Sequence, residues 1–296
     1  GQGWEGEFGT WSDDHIEGLK RLALTIREHG AVGLAQLFHG GIRAPQRLTG
    51  VQPASASVND LGKALGKSRM FSIEEIDGLI QAFGRAAERC EKAGFHGVEL
   101  HGAHGYLIAQ FLGSATNRRT DRWGGSQTKR TRFLREIVEE VRRRTGPDFL
   151  VGVRLSPELS SCGMSLQDSL ETLRLCNGMP LDFVHVSCWD IAETATIDGR
   201  ALPYTTAFRA HLDDGIPLIT TGSVWNAKEA RHAMDQGGDF VGVGRVGIAH
   251  PDWPRYLEEA AEEPKRPPFS VNELELASLN PTFINYMRRW NGFVEP

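Results

Sequence analysis

Residues 72–101, SIEEIDGLIQAFGRAAERCEKAGFHGVELH, decide the fold. Ser72 and Glu75 have the spacing of a capping box, in which the serine hydroxyl and the glutamate carboxylate satisfy each other's backbone N–H groups. The helix this opens closes on Gly94, a residue that ends helices because it tolerates a left-handed backbone. A strand, Phe95–His101 (FHGVELH), follows at once.

The same helix-then-strand unit recurs on both sides. Upstream, Ser12–Gly30 reads as a helix with Ser12 as N-cap and Ile16, Leu19, Leu22, Ala23 and Ile26 on one apolar face. It leads into Ala31–Phe38 (AVGLAQLF), almost wholly apolar, as expected for a strand covered on both sides. Downstream, helices over Ser126–Gly146, Ser165–Gly178, Thr205–Gly215 and Asn226–Gly238 lead into strands Phe149–Leu155, Asp182–Ser187, Ile216–Thr221 and Asp239–Gly244. Asp252–Glu263 reads as a last amphipathic helix. Six buried strands alternating with helices make either a doubly wound sheet or a closed barrel. The first of these usually carries a GxGxxG loop after its first strand, and none follows Phe38. The pattern therefore predicts an α/β fold, a (β/α)₈ TIM barrel to which this chain supplies about six βα units. Residues 1–263 are expected to form the barrel domain. Residues 264–296, proline-rich and then polar, are expected to dock on the barrel or on a neighbouring subunit.

Polar residues gather at the strand ends, which share one mouth in a barrel. They are Gln36 and His39, His101, Arg154, Ser187, Thr221-Gly222-Ser223 and Gly244-Arg245. The last two groups are glycine-containing turns where barrels hold phosphate, since bare N–H groups can approach its oxygens. The densest chemistry is His101-Gly102-Ala103-His104-Gly105-Tyr106. Three readings fit it: a structural histidine with a core tyrosine, two of the ligands of a metal site, or two hydrogen-bond donors beside a proton donor. The HxxH spacing by itself supplies only two of the ligands a metal site needs.

The run GVELHGAHGYLIAQFLGSATNRRTDRWGGS from Gly97, followed by VGVRLSP, resembles the signature stretch of the Old Yellow Enzyme family. The likeness extends upstream to LAQLFHGGIR (34–43) and downstream through HVS, TTGSVW, VGVGR and HPDWP to YMRRW. It implies an NAD(P)H-dependent FMN ene-reductase, with NADPH or NADH as reductant. His101 and His104 would bind the substrate oxygen and Tyr106 would donate the proton. Gln36 and Arg154 would contact the pyrimidine edge of FMN, and Gly222, Ser223, Gly244 and Arg245 its phosphate. Arg289 and Trp290 resemble terminal residues that reach a neighbouring subunit's site in some relatives. Relatives also have two further βα units at the front. The expected assembly is therefore a homo-oligomer or a complex with a polypeptide that supplies those strands. Other FMN-barrel reactions (oxidative demethylation, redox-neutral isomerisation or cyclisation) and a non-catalytic, complementing subunit remain alternatives on the residues alone.

The bulk numbers are compatible with this reading. The 296 residues carry a net charge of −5, which argues against a polyanionic partner such as nucleic acid. Cys90, Cys162, Cys176 and Cys188 show no CxxC pairing, so reduced thiols and no metal are expected. No signal peptide and no bilayer-length apolar run is evident, and the expected location is cytoplasmic, with no membrane and a small-molecule substrate.

Overall fold

The computed structural model describes residues 1–60, 66–197, 199–259 and 263–296. The main strands are β1 (Leu34–Leu37), β2 (Gly97–Gly102), β3 (Leu150–Leu155), β4 (Phe183–Ser187), β5 (Leu218–Thr221) and β6 (Phe240–Gly242). The principal helices are α1 (Ile16–Glu28), α2 (Ile73–Lys92), α3 (Gln127–Arg144), α4 (Leu166–Cys176) and α5 (Ala227–Asp235). The chain divides into two compact units, Gly1–Ser187 with Ala207–Leu218, and Cys188–Thr206 with Ile219–Pro296.

In the first unit β1, β2, β3 and β4 lie side by side, all parallel. The capping box read at Ser72 closes as its sequence requires, and a second forms at Ser165, each serine accepting from the backbone N–H three residues on. Helix α2 packs on α3. Alternation along the strands sorts the side chains. Val98, Leu100, Val151, Val153, Val184 and Val186 are fully buried on one face. The other face carries Gln36, Glu99 and His101, Gly152 and Arg154, then Phe183, His185 and Ser187. Gly152 is needed on that face, because a Cβ there would lie 2.2 Å from the Phe183 ring.

The segment after Tyr106 folds into a clasp. Asn117 Nδ2 donates to Phe111 O and Trp123 O, both at 2.7 Å. The Arg119 guanidinium donates to Ala56 O (3.1 Å) and Phe71 O (2.7 Å) and pairs with Asp121 at 2.6 Å. Gln110 donates to Gly105 O and accepts from Ile42 N–H and Ser55 Oγ. Much of the GYLIAQFLGSATNRRTDRW run is thus explained by backbone carbonyls that need buried donors.

Two expectations are revised. The helix expected over Thr205–Gly215 is Tyr204–Arg209 only. Arg209 donates to the carbonyls of Leu212, Asp213 and Ile216, which holds the following residues in a turn. A hairpin of Thr194–Ile197 with Arg200–Pro203 also forms, outside the elements read from the sequence: TATI alternates but is only four residues long, and its partner RALP does not alternate.

In the second unit β5 and β6 pair in parallel, with Thr220 opposite Val241. Its core joins Val224, Trp225, Val246 and Trp253 to Phe269, Ile284, Met287 and Phe293. The segment from Pro264 onward forms helices Val271–Leu276 and Pro281–Met287 and shares that core, so the compact units cut the chain elsewhere than position 263.

Replacing Arg119 by Met would orphan two buried carbonyls and leave the Asp121 carboxylate with the Trp123 N–H but without its cation. Breaking a buried pair from one side costs about 3–5 kcal/mol, and a loss of that size in urea unfolding is expected. A loss below about 1 kcal/mol, the range of surface ion pairs, would show that the clasp is not structural.

Candidate active site

Strand β2 delivers His101 to the polar face, and the chain then turns sharply. His104 (φ 57°) and Gly105 (φ 75°) are both left-handed. A non-glycine residue there is strained by roughly 1–3 kcal/mol and must be held. Two hydrogen bonds hold it: His104 N–H donates to Ser156 Oγ (3.1 Å), and His104 O accepts from Arg43 Nη1 (2.6 Å). The turn brings the two imidazoles to 5.0 Å, edge to face, and places the Tyr106 ring 4.7 Å from His101. Phe38 (5.2 Å) and Trp4 (6.1 Å) also meet Tyr106, and the Arg43 guanidinium lies 4.8 Å from its ring centre.

Gln36, Phe38, His101, His104, Tyr106 and Arg154 line one cavity of about 1000 Å³ within the first unit. Both histidines are neutral at ordinary pH. Burial, then the neighbouring His104 and Arg154 charges, push His101 down to about 3; burial, then Arg154 and Arg43, push His104 to about 4. His101 Nδ1 accepts from the Ala103 N–H (3.2 Å), so its proton sits on Nε2.

Beside the pair lies a row of polar side chains on adjacent strands. Glu99 is 8% exposed, accepts from Gln36 Nε2 at 2.5 Å and faces His185 Nδ1 at 2.7 Å. Burial acts to raise its carboxyl, but hydrogen bonds from His185 and Gln36 and the Arg154 charge outweigh it and hold Glu99 below its usual range. An ionised carboxylate only accepts, so the Gln36 amide must turn its NH₂ to Glu99 and its oxygen elsewhere. Arg154 donates to Ser187 Oγ at 3.0 Å, while its buried Nε has no partner among the described residues. A cationic group with an unused donor, beside an oriented amide, fits a polar ring edge such as that of FMN.

Gly222, Ser223, Gly244 and Arg245 lie in the second unit. A Cβ on Gly222 would come within 3.0 Å of Cys188 O and Ile191 N, so only glycine fits that turn. Ser223 is left-handed (φ 54°) and its hydroxyl donates to Trp189 O at 3.2 Å. Arg245 Nη2 donates to the same Ser223 Oγ at 3.3 Å. The backbone at Gly244 is open, with nothing within 4 Å of a would-be Cβ. These features suit an anion approached by backbone and one guanidinium.

Reading strand ends alone missed Glu99, His185, Arg43 and Ser156. The signal for the first two was present: a charged and a titratable residue at alternate positions inside FHGVELH and DFVHVS. Arg43 and Ser156 had none, since their partners are backbone groups about 60 and 50 residues away in sequence. All four thiols are buried, and burial pushes Cys90, Cys176 and Cys188 up to about 12. Among the described residues no three His, Cys, Asp or Glu side chains come together as a metal site, and no helix is long and apolar enough to cross a membrane.

Comparison with known proteins matches residues 1–263 to the NADH:flavin oxidoreductase / NADH oxidase family. A probable NADH-dependent flavin oxidoreductase, YqiG, of Bacillus subtilis (strain 168) is 36% identical over 273 residues, 89% of this chain and 72% of the relative. The NADH:fumarate oxidoreductase of Klebsiella pneumoniae (strain 342) is 33% identical over 86% of this chain, which spans only 28% of that protein. Among solved structures, the old yellow enzyme homologue of Zymomonas mobilis superposes with a TM-score of 0.78 at 26% identity, covering 93% of this chain and 79% of that one. Morphinone reductase in complex with tetrahydroNAD also scores 0.78 at 26% identity, covering 95% and 82%. The fold is the α/β TIM-barrel class, and the chain belongs to the NADH:flavin oxidoreductase / NADH oxidase family, whose members use FMN with NADH or NADPH.

Proposed function

We propose that this chain is an ene-reductase that reduces the activated C=C bond of a small α,β-unsaturated carbonyl compound. The observation that carries the reading is the neutral His101–His104 pair packed around Tyr106 in one cavity with Arg154. Two uncharged imidazole donors suit a carbonyl oxygen that becomes more negative as the reaction proceeds. Such donors are worth on the order of 2–4 kcal/mol each at the transition state.

FMN, when bound, supplies the hydride chemistry, passing to the substrate what NAD(P)H delivers. Gln36 would offer its amide oxygen, and Arg154 its cation and unused Nε–H, to the pyrimidine edge. In the second unit Gly222, Ser223, Gly244 and Arg245 would hold the phosphate. His101 and His104 orient the substrate by its oxygen and polarise the alkene. Tyr106 gives its phenolic proton to the α-carbon. Phe38 and Trp4, against Tyr106, keep water from that side of the ring.

Tyr106→Phe is expected to leave anaerobic reduction of bound FMN by NAD(P)H unchanged and to slow turnover of a cyclic enone by about 10²-fold or more, the scale of general acid catalysis. Equal turnover in mutant and wild type would remove Tyr106 from the mechanism.

The depressed histidines also fix how stability depends on pH. Above the ordinary value of 6.5 neither folded nor unfolded chain is protonated at these sites. As pH falls below 6.5, the unfolded chain takes up protons that the folded chain refuses, so stability drops. The drop from His104 ends near its folded value of about 4. Each histidine contributes up to about 1.4 kcal/mol per pH unit in that window. Urea unfolding of His104→Gln between pH 4 and 6.5 should show an acid slope shallower by that amount. An unchanged slope would mean that His104 titrates normally in the fold.

A further inference from the structure

Ser187 closes β4, and its hydroxyl is shared by two groups that the proposed chemistry uses. Arg154 Nη2 donates to Ser187 Oγ at 3.0 Å, and His104 Nε2 lies 2.7 Å from the same oxygen. Ser187 is buried, at 7% exposure, and its hydroxyl has no other hydrogen-bond partner among the described residues. A guanidinium has N–H groups and no lone pair, so Arg154 can only donate and Ser187 must accept from it. Two arrangements remain for the contact with His104. Either the serine O–H donates to a bare Nε2, or an Nε2–H donates into a second lone pair of Oγ. The second leaves a buried O–H with nothing to donate to, whereas the first satisfies all three groups.

We infer that Ser187 is a positioning residue: its hydroxyl donates to His104 Nε2, holds His104 in the Nδ1–H form, and so decides which ring nitrogen is offered to the substrate. This rests on the reading of His101 and His104 as the pair that binds the substrate oxygen. His101 is fixed the opposite way, because the Ala103 N–H donates to its Nδ1 and leaves the proton on Nε2. The pair therefore presents one Nε2–H and one Nδ1–H, from rings standing 81° apart. The His104 backbone is already clamped by Ser156 and Arg43, so the side-chain torsions are the freedom that remains, and Ser187 removes it. Arg154 enters twice, as a proposed cofactor contact and as the donor that turns the Ser187 hydrogen toward His104. Loss of Ser187 would separate those two tasks.

The test is nitrogen NMR of the full chain with FMN bound, labelled with ¹⁵N-histidine, the His104 signals being assigned by their loss in His104→Gln. Wild type should show a protonated Nδ1 and a bare Nε2 at His104. Ser187→Ala should shift the proton toward Nε2 and weaken binding of 4-hydroxybenzaldehyde, a phenol that mimics the substrate oxygen, by about tenfold, the scale of one hydrogen bond. Ser187→Thr, which keeps the hydroxyl, should restore both. A proton on Nε2 in wild type, or an unchanged Nδ1–H in Ser187→Ala, would overturn the inference. If the tautomer follows Ser187 while phenol binding ignores His101→Ala and His104→Ala, Ser187 stands as the positioning group and the substrate-pair reading fails instead.

Discussion

Glu99 and Arg154 are oppositely charged side chains on the same face of neighbouring strands, both largely withdrawn from water. Burying either alone would cost several kcal/mol. Each charge instead lowers the cost of the other: the Arg154 cation helps hold Glu99 ionised, and Glu99 opposes the desolvation that depresses Arg154. Once Glu99 is an anion, its neighbours have little choice. Gln36 must turn its NH₂ toward it, and His185 must present Nδ1–H. Arg154, tied to Glu99 by field rather than by contact, is free to spend a donor on Ser187. One charge balance thus orients a row of groups across four strands.

The scaffold makes that row possible by simple means. Parallel pairing with Gln36 opposite Glu99, His101 opposite Arg154 and Arg154 opposite His185 places alternate residues on a common face. Valines on the other face bury fully and fix which face is which, since a slip of one residue would exchange them. Gly152 keeps the polar layer thin enough for Glu99 and His185 to meet across β3. The strained turn at His104 is held by hydrogen bonds to its own N–H and C=O, so strain is confined where a side chain must be aimed.

The electrostatics of the cavity follow from the same arrangement. Burial, reinforced by the nearby Arg154 and Arg43 charges, keeps both imidazoles neutral. A cavity with fixed positive charge and neutral donors favours an oxygen that gains negative charge without giving it a ready proton. In the proposed mechanism this leaves a nearby phenol, Tyr106, rather than an imidazolium, as the proton source.

Local signals in the chain were strong where the physics is local. Capping serines, terminal glycines and apolar runs marked the principal helices and all six strands, because each depends on residues within a turn or two. The placing of the HGAHGY motif and of the glycine turns at 222–223 and 244–245 directly after strands was also legible, since each follows an apolar run. The hairpin at 194–203 and the early end of the helix at Arg209 were not, because each is set by pairing rather than by pattern. What only the tertiary structure decided is the state of each polar group: that Glu99 is ionised, that His101 carries its proton on Nε2, that Ser187 stands between Arg154 and His104. Those states depend on burial and on partners dozens of residues away, and a donor or acceptor acquires its direction only when the strand beside it supplies the other half of the bond.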